Sequence, residues 1–298
     1  MTVRATRADP VDTGEIAAAP TPAHTSDPAP NRERVERRAA FARRAGLRGI
    51  ALAVLLGAWW LVTALEVWPP VLVPKPGAVW DQLIRTESTQ DGRRGYSGYL
   101  LHEHLWASLR RILIGSGIGV AVGIVLGMLI GLVTTIRVVL EPLVDFVRTL
   151  PPLAYLSLLV IWFGIDESPK IWLLIIASLP PVAVATADAV RGVHPDHLHA
   201  ARSLGARRWE LPWRVVLPSA LPEIVTGVRV AVGIAYTSVV AAETINGVPG
   251  IGGMIRDAQR YNQTDVVVLG IIVIGLSGLA IDAVLKALER RLTPWRGR

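Results

Sequence analysis

The sequence predicts an all-α, polytopic membrane protein with about six transmembrane helices. Three observations carry this. Of 298 residues, 51% are hydrophobic and only 18% are charged, against roughly 25% charged in a soluble domain. Long apolar runs recur along the chain, each close to the roughly 20 residues that a bilayer-spanning helix needs. The chain carries 10 Trp against 3 Phe and 5 Tyr, and Trp suits a membrane interface because its ring is apolar and its N–H seeks water. The absence of Cys excludes disulfides, thiolate metal sites and a cysteine nucleophile. The net charge of +7 fits Arg-rich cytoplasmic ends better than nucleic-acid binding.

The chain opens on a tail over residues 1–48, followed by a membrane domain over 49–298. Residues 1 to 30 are rich in Ala, Pro, Thr and Asp and bury too little apolar surface to offset ordering entropy, so a disordered tail is expected. Residues 31–48 are dense in Arg and read as a basic interfacial helix that meets anionic lipid or sets a positive-inside topology. The first span is expected over 50–65, too far from the N-terminus for a cleaved signal peptide. A short amphipathic helix is expected from Pro76 to Arg85.

The second span is expected over 112–133. Its glycines Gly115, Gly119, Gly123, Gly127 and Gly131 fall every fourth residue, along one face of a helix, and allow another helix to approach closely. The third span, 139–163, is interrupted by Pro151-Pro152, so a break at membrane depth is expected. The fourth, 171–190, holds Pro180-Pro181 and should be kinked. The fifth and sixth are expected over 221–245 and 266–288. An even number of spans puts both termini on one side. That side carries most of the Lys and Arg when it is assigned as cytoplasmic.

Between spans four and five, residues 191–218 are too polar to lie in lipid. Pro195 and Asp196 mark a helix start. Gly205 fits a helix C-cap, where φ > 0 is needed. A second short helix is expected from Ala206 to Val216. The small residues Ala200 and Ala201, with Arg202, Arg207 and Arg208, make a knob able to transmit force from a soluble partner. The histidines His194, His197 and His199 share no helix face well and lack a completing carboxylate, which disfavours a metal site. Residues 247–254, GVPGIGGM, lack the context of a nucleotide loop and read as an external re-entrant turn or gate.

The loop sequence HAARSLGARRWELPWRVVLP resembles the signature loop of the permease subunits of bacterial binding-protein-dependent ABC importers. That pattern is Glu-Ala-Ala, three residues, Gly, nine residues, an aliphatic residue, any residue, then Leu-Pro. Ala200, Ala201, Gly205, Val215, Leu217 and Pro218 occupy its positions, and His199 stands where the pattern has Glu. The segments LVPKPGAVWDQLI, LPPLAYLSLLVIWFGIDESPKIW and ERRLTPWRG are similar to the nitrate, sulfonate, taurine and bicarbonate branch of that family, and within it most similar to its taurine permeases. The likeness covers most of residues 59–298, apart from an insertion over 86–99.

The resemblance implies a type I ABC importer fold and a non-enzymatic subunit. It implies a second copy of the permease, a separate ATPase subunit carrying ATP and Mg, and an extracytoplasmic substrate-binding protein. The chain's own residues agree, since no GxxxxGK[ST] phosphate loop occurs. The implied coupling loop holds His199, Ala200, Ala201, Arg202, Ser203, Leu204, Gly205, Arg207, Leu217 and Pro218. The solute is expected to be a small anion, taurine or another organosulfonate, with nitrate or bicarbonate as alternatives. An independent transporter or membrane enzyme would need an inverted repeat or midplane catalytic groups, which are not evident.

For such an anion, Arg148 beside Pro151 and Pro152 offers planar, bidentate recognition; its other reading is a pair with Asp145, supported by Glu141. Arg229 either pairs with Glu223 or lines the pathway. Glu243, near the outer end of the fifth span, reads as a contact for the binding protein or as a gate. Asp282 has Lys286 at i+4 as a natural partner.

Overall fold

A computed structural model describes residues 30–294 apart from residue 91. The expected disordered tail lies outside the described residues. Among the described residues ten α-helices run in the order α1 (Pro30–Ala64), α2 (Pro76–Thr86), α3 (Leu101–Leu132), α4 (Thr134–Thr149), α5 (Pro152–Phe163), α6 (Ser168–Arg191), α7 (Pro195–Ser203), α8 (Leu217–Asn246), α9 (Ile251–Arg260) and α10 (Thr264–Leu292). A π-helical turn, Pro212–Val216, leads into α8. A two-residue hairpin, β1 (Thr89–Gln90) with β2 (Arg93–Arg94), falls inside the 86–99 insertion. The chain divides into two units within α1, between Gly57 and Ala58.

The fold is all-α and polytopic, as expected. Among the described residues four helices are long and apolar enough to cross a membrane, and α4 with α5 adds a fifth as a pair bent by 97°. The apolar part of α1, Gly49–Ala64, is shorter than these. The bend has a local cause. Leu150 and Pro151 are both extended (ψ 127° and 132°), because a residue before proline avoids the α region, and Pro152 restarts the helix as its first residue. By contrast α6 continues through Pro180 and Pro181 as one helix, since an internal proline forfeits a hydrogen bond without necessarily ending the helix.

Glycine sets the core of the bundle. A Cβ at Gly115 would lie 2.5 Å from Leu174 Cβ, at Gly123 2.9 Å from Val182 Cβ, and at Gly127 2.6 Å from Thr186 Cβ. Partner positions advance together on both helices, so α3 and α6 are parallel and in backbone-close contact. Helix α8 runs the other way: Ile112 and Leu174 pack on Ala235 and Val239, while Met128 and Val190 pack on Ala220 and Ile224. Helix α10 is antiparallel to α8, with Tyr236 Oη donating to the Ile274 carbonyl at 2.6 Å. Leu113, Val125, Leu276, Leu279 and Val284 point outward and exposed, which suits hydrocarbon.

These directions define two ends. At one lie α2, the hairpin, α9 and the α5–α6 turn. At the other lie α7 and the ends of α3, α6 and α10.

Candidate functional sites at the two ends of the bundle

At the α7 end the chain builds a short exposed elbow. Pro195 is the first helical residue, and His194 Nδ1 accepts from the Asp196 N–H at 3.3 Å. The helix stops in a Schellman motif: the Ala206 N–H donates to the Ala201 carbonyl at 3.0 Å and the Gly205 N–H to the Arg202 carbonyl at 2.9 Å. Gly205 takes φ +89°, the left-handed conformation this closure requires. The expected helix over 206–216 is corrected: Glu210 instead turns back to accept the Arg207 N–H at 2.9 Å, and helix resumes only at Pro212. No residue of α7 is buried. Leu204 is 89% exposed, and Trp209 and Trp213 are 66% and 64% exposed. These large apolar side chains stand exposed on an otherwise polar loop.

The other end holds a buried polar node that sequence reading missed. His104, Ser108 and Arg111 line one face of α3. Arg111 Nη1 donates to Glu243 of α8 at 2.6 Å, while its Nε and Nη2 grip both oxygens of Glu167 at 2.6 Å. The Arg111 side chain is 2% exposed and that of Glu243 0%. Ser108 Oγ donates to Glu243, and the Gly252 N–H donates to the same carboxylate at 2.9 Å. The Ile251 N–H donates to Ser108 Oγ at 3.1 Å. Distant side chains therefore cap the N-terminus of α9, where a carboxylate also meets the favourable end of the helix dipole. A Cβ at Gly250 would sit 2.7 Å from Arg111 Nη1, so only glycine lets the backbone close over the ion pair.

Glu167, the N-cap of α6, lies at the edge of this node. Its hydrogen bonds from Arg111 hold its pKa down, to about 2. Lys170 reaches the same carboxylate at 3.3 Å.

The remaining candidate residues scatter. Arg148 is half-exposed beside the proline break and pairs with Asp145 at 3.2 Å; Glu141 instead receives Arg191 from α6 at 2.7 Å. Arg229 bonds Asp282 and Glu289 on α10, each at 2.9 Å, which replaces the expected pairing with Glu223. Asp282 also takes Lys286, as expected. Glu243, expected as a contact for the binding protein or a gate, is wholly enclosed in the node. Of residues 247–254, expected as a re-entrant turn or gate, 247–250 form a turn and 251–254 begin α9. Among the described residues no three His, Asp or Glu side chains converge on a metal site.

Parallel glycine-packed spans, a broken span and an exposed elbow together define the transmembrane subunit of a transporter. Residues 119–294 match the family described as binding-protein-dependent transport system inner membrane component, and the chain belongs to that family. It is 42% identical to the taurine transport system permease protein TauC of Escherichia coli over 83% of this chain and 88% of that one. It is 33% identical to the putative aliphatic sulfonates transport permease protein SsuC of Bacillus subtilis, over 90% and 95% of the two chains. The nitrate import permease protein NrtB of Leptolyngbya laminosa is 33% identical over 85% and 89%. Among solved structures, an amino acid ABC transporter chain superposes with a TM-score of 0.52 at 20% identity, over 64% of this chain and 92% of that one. The chain is thus an inner-membrane, multi-pass ABC importer permease with the type I fold, and not an enzyme.

Proposed function

We propose that this permease imports a small organosulfonate, taurine foremost, driven by ATP hydrolysis on a separate subunit. The relatives named for taurine and aliphatic sulfonates support the substrate class. The relative named for nitrate supports the broader reading of a small oxyanion. Two copies of the chain enclose the pathway, both termini face the cytoplasm, and an extracytoplasmic binding protein delivers the solute to the α9 end. The partner ATPase holds ATP and Mg, and the permease binds no cofactor of its own.

The observation that carries the mechanism is the capped α7, none of whose residues is buried, with the exposed Leu204, Trp209 and Trp213 beside it. His199, Ala200, Ala201, Arg202, Ser203, Gly205 and Arg207 form or border that elbow, and Leu217-Pro218 link it to α8. A rigid elbow transmits the closing of the ATPase to the spans, which alternate between inward-open and outward-open states. Arg148, at the break after α4, is the cation placed to meet the anionic solute, because broken helices at membrane depth line cavities.

The test is uptake of labelled taurine in cells lacking their own taurine importer, given this chain together with its ATPase and binding protein. Uptake is expected only when all three are present. Uptake that persists without the ATPase would overturn the proposal. Uptake of nitrate with none of taurine would move the substrate to the oxyanion alternative.

A further inference from the structure

The two arms of Arg111 are unequal. The arm to Glu243 is dry at both ends, whereas the Glu167 side chain is 43% exposed. Opening the first would strand a carboxylate in the interior, which is costly. Opening the second frees a carboxylate that water and Lys170 can take up, while Arg111 keeps Glu243 and loses its two bonds to Glu167. The Glu167 arm is therefore the one that costs less to open.

What it would release is α5. That helix is bounded on one side by the Leu150–Pro151 break and on the other by Gly164 at φ +82°, so each end has a backbone joint able to absorb a change of direction. Its body packs on α6 and α8 through Leu156, Leu159, Leu173 and Ala242, and the turn that follows it is gripped by Arg111 through Glu167.

We propose that Arg111 and Glu167 are a positioning pair: they hold the α5–α6 turn against α3 in one state of the transport cycle and part in another, while the Arg111–Glu243 arm stays closed. Neither residue touches the solute. This rests on the chain acting as an ATP-driven importer, and the experiment separates the two.

The permease, its ATPase and its binding protein are reconstituted in liposomes, and ATP hydrolysis and taurine uptake are measured together. Wild-type complex lacking binding-protein-stimulated hydrolysis would refute the importer reading itself. Given an active wild type, Glu167→Gln is expected to raise hydrolysis without binding protein about five-fold, the scale of losing one partly exposed ion pair, and to lower taurine moved per ATP. Arg111→Lys keeps a cation for Glu243 but loses the two-point grip on Glu167, so it should do the same. The double variant should be no worse than either single one, because both remove one interaction. Unchanged hydrolysis and coupling in Glu167→Gln, or additive effects in the double variant, would overturn the proposal. Melting of each complex in detergent is read alongside. An equal loss of hydrolysis and uptake that tracks a lowered melting temperature would also count against it, as a merely structural role.

Discussion

Arg111 of α3 donates to Glu243 of α8 at 2.6 Å inside the bundle, with neither side chain more than 2% exposed. Its neighbours lower the cost of burying the pair. Glu167 neutralises the far side of the guanidinium, and Ser108 and the Gly252 N–H complete the carboxylate. Replacing Glu243 by Ala leaves half of the guanidinium facing a dry cavity, and breaking a buried pair in this way costs about 3 kcal/mol or more. A lowered melting temperature in detergent and reduced membrane yield are expected. A wild-type melting temperature would show that the node does not stabilise the fold.

Helix α3 offers a paired test of close packing. A Cβ at position 127 would lie only 2.6 Å from Thr186 Cβ and 2.4 Å from the Ala183 carbonyl oxygen, so Gly127→Leu drives a side chain into the backbone of α6. Overpacking of this kind typically costs about 1–3 kcal/mol, and more where backbone cannot yield. A Cβ at Gly117 would meet nothing within 4 Å, so Gly117→Ala should be silent. Protease resistance and yield of the two variants are compared, and equal behaviour would contradict the parallel α3–α6 contact.

Gly205 separates coupling from folding. Its surroundings are open, but φ is +89°, so the cost of Gly205→Val is conformational, about 1–2 kcal/mol at one exposed turn. The spans should assemble normally while uptake per ATP collapses. Full uptake in that variant would show that the turn transmits nothing.

Glu167 gives a pH signature of known sign. Its carboxyl is held at about 2, below its ordinary 4.5, first by the hydrogen bonds from Arg111. A depressed carboxylate contributes stability that is present above the ordinary value and is lost as pH falls through the window toward the folded value. The melting-temperature gap between wild type and Glu167→Gln should therefore be flat from pH 7 to about 5 and narrow below about 4.5. A gap that changes between pH 7 and 6 would point to a different group.

Arg148→Ala bears on the solute. Its pair with Asp145 is half-exposed, and such pairs contribute little, about 0–1 kcal/mol, to stability. Assembly should persist while taurine uptake falls more than about ten-fold, the loss of one charge-assisted recognition contact. Unchanged uptake would leave Arg148 with its structural pair alone.

The apolar spans were legible because burial in lipid demands long hydrophobic runs. The glycine series of α3 and the Pro151-Pro152 break were legible because each acts through local geometry. The elbow at Pro195 and Gly205 was legible for the same reason, through its start and stop residues. The node was not. Arg111 stands one residue before the apparent start of its span, so it reads as a loop cation, and Glu167 and Lys170 read as a polar turn. Their meeting depends on which faces of α3, α6 and α8 converge, and pairing across 132 positions in sequence leaves no local trace. The i, i+4, i+7 spacing of His104, Ser108 and Arg111 on an otherwise apolar helix was the one available sign. Arg229 illustrates the same limit: a carboxylate close in sequence, Glu223, was the natural guess, but α10 supplies Asp282 and Glu289 from the neighbouring helix.

The most direct measurement is taurine accumulation in liposomes that hold the purified permease, with and without its ATPase, in the presence of binding protein and ATP. Accumulation is expected solely in the complete system, and Gly205→Val should let hydrolysis continue while accumulation stops. Taurine gathered by the permease in the absence of any ATPase would contradict the coupling of this elbow to a separate motor.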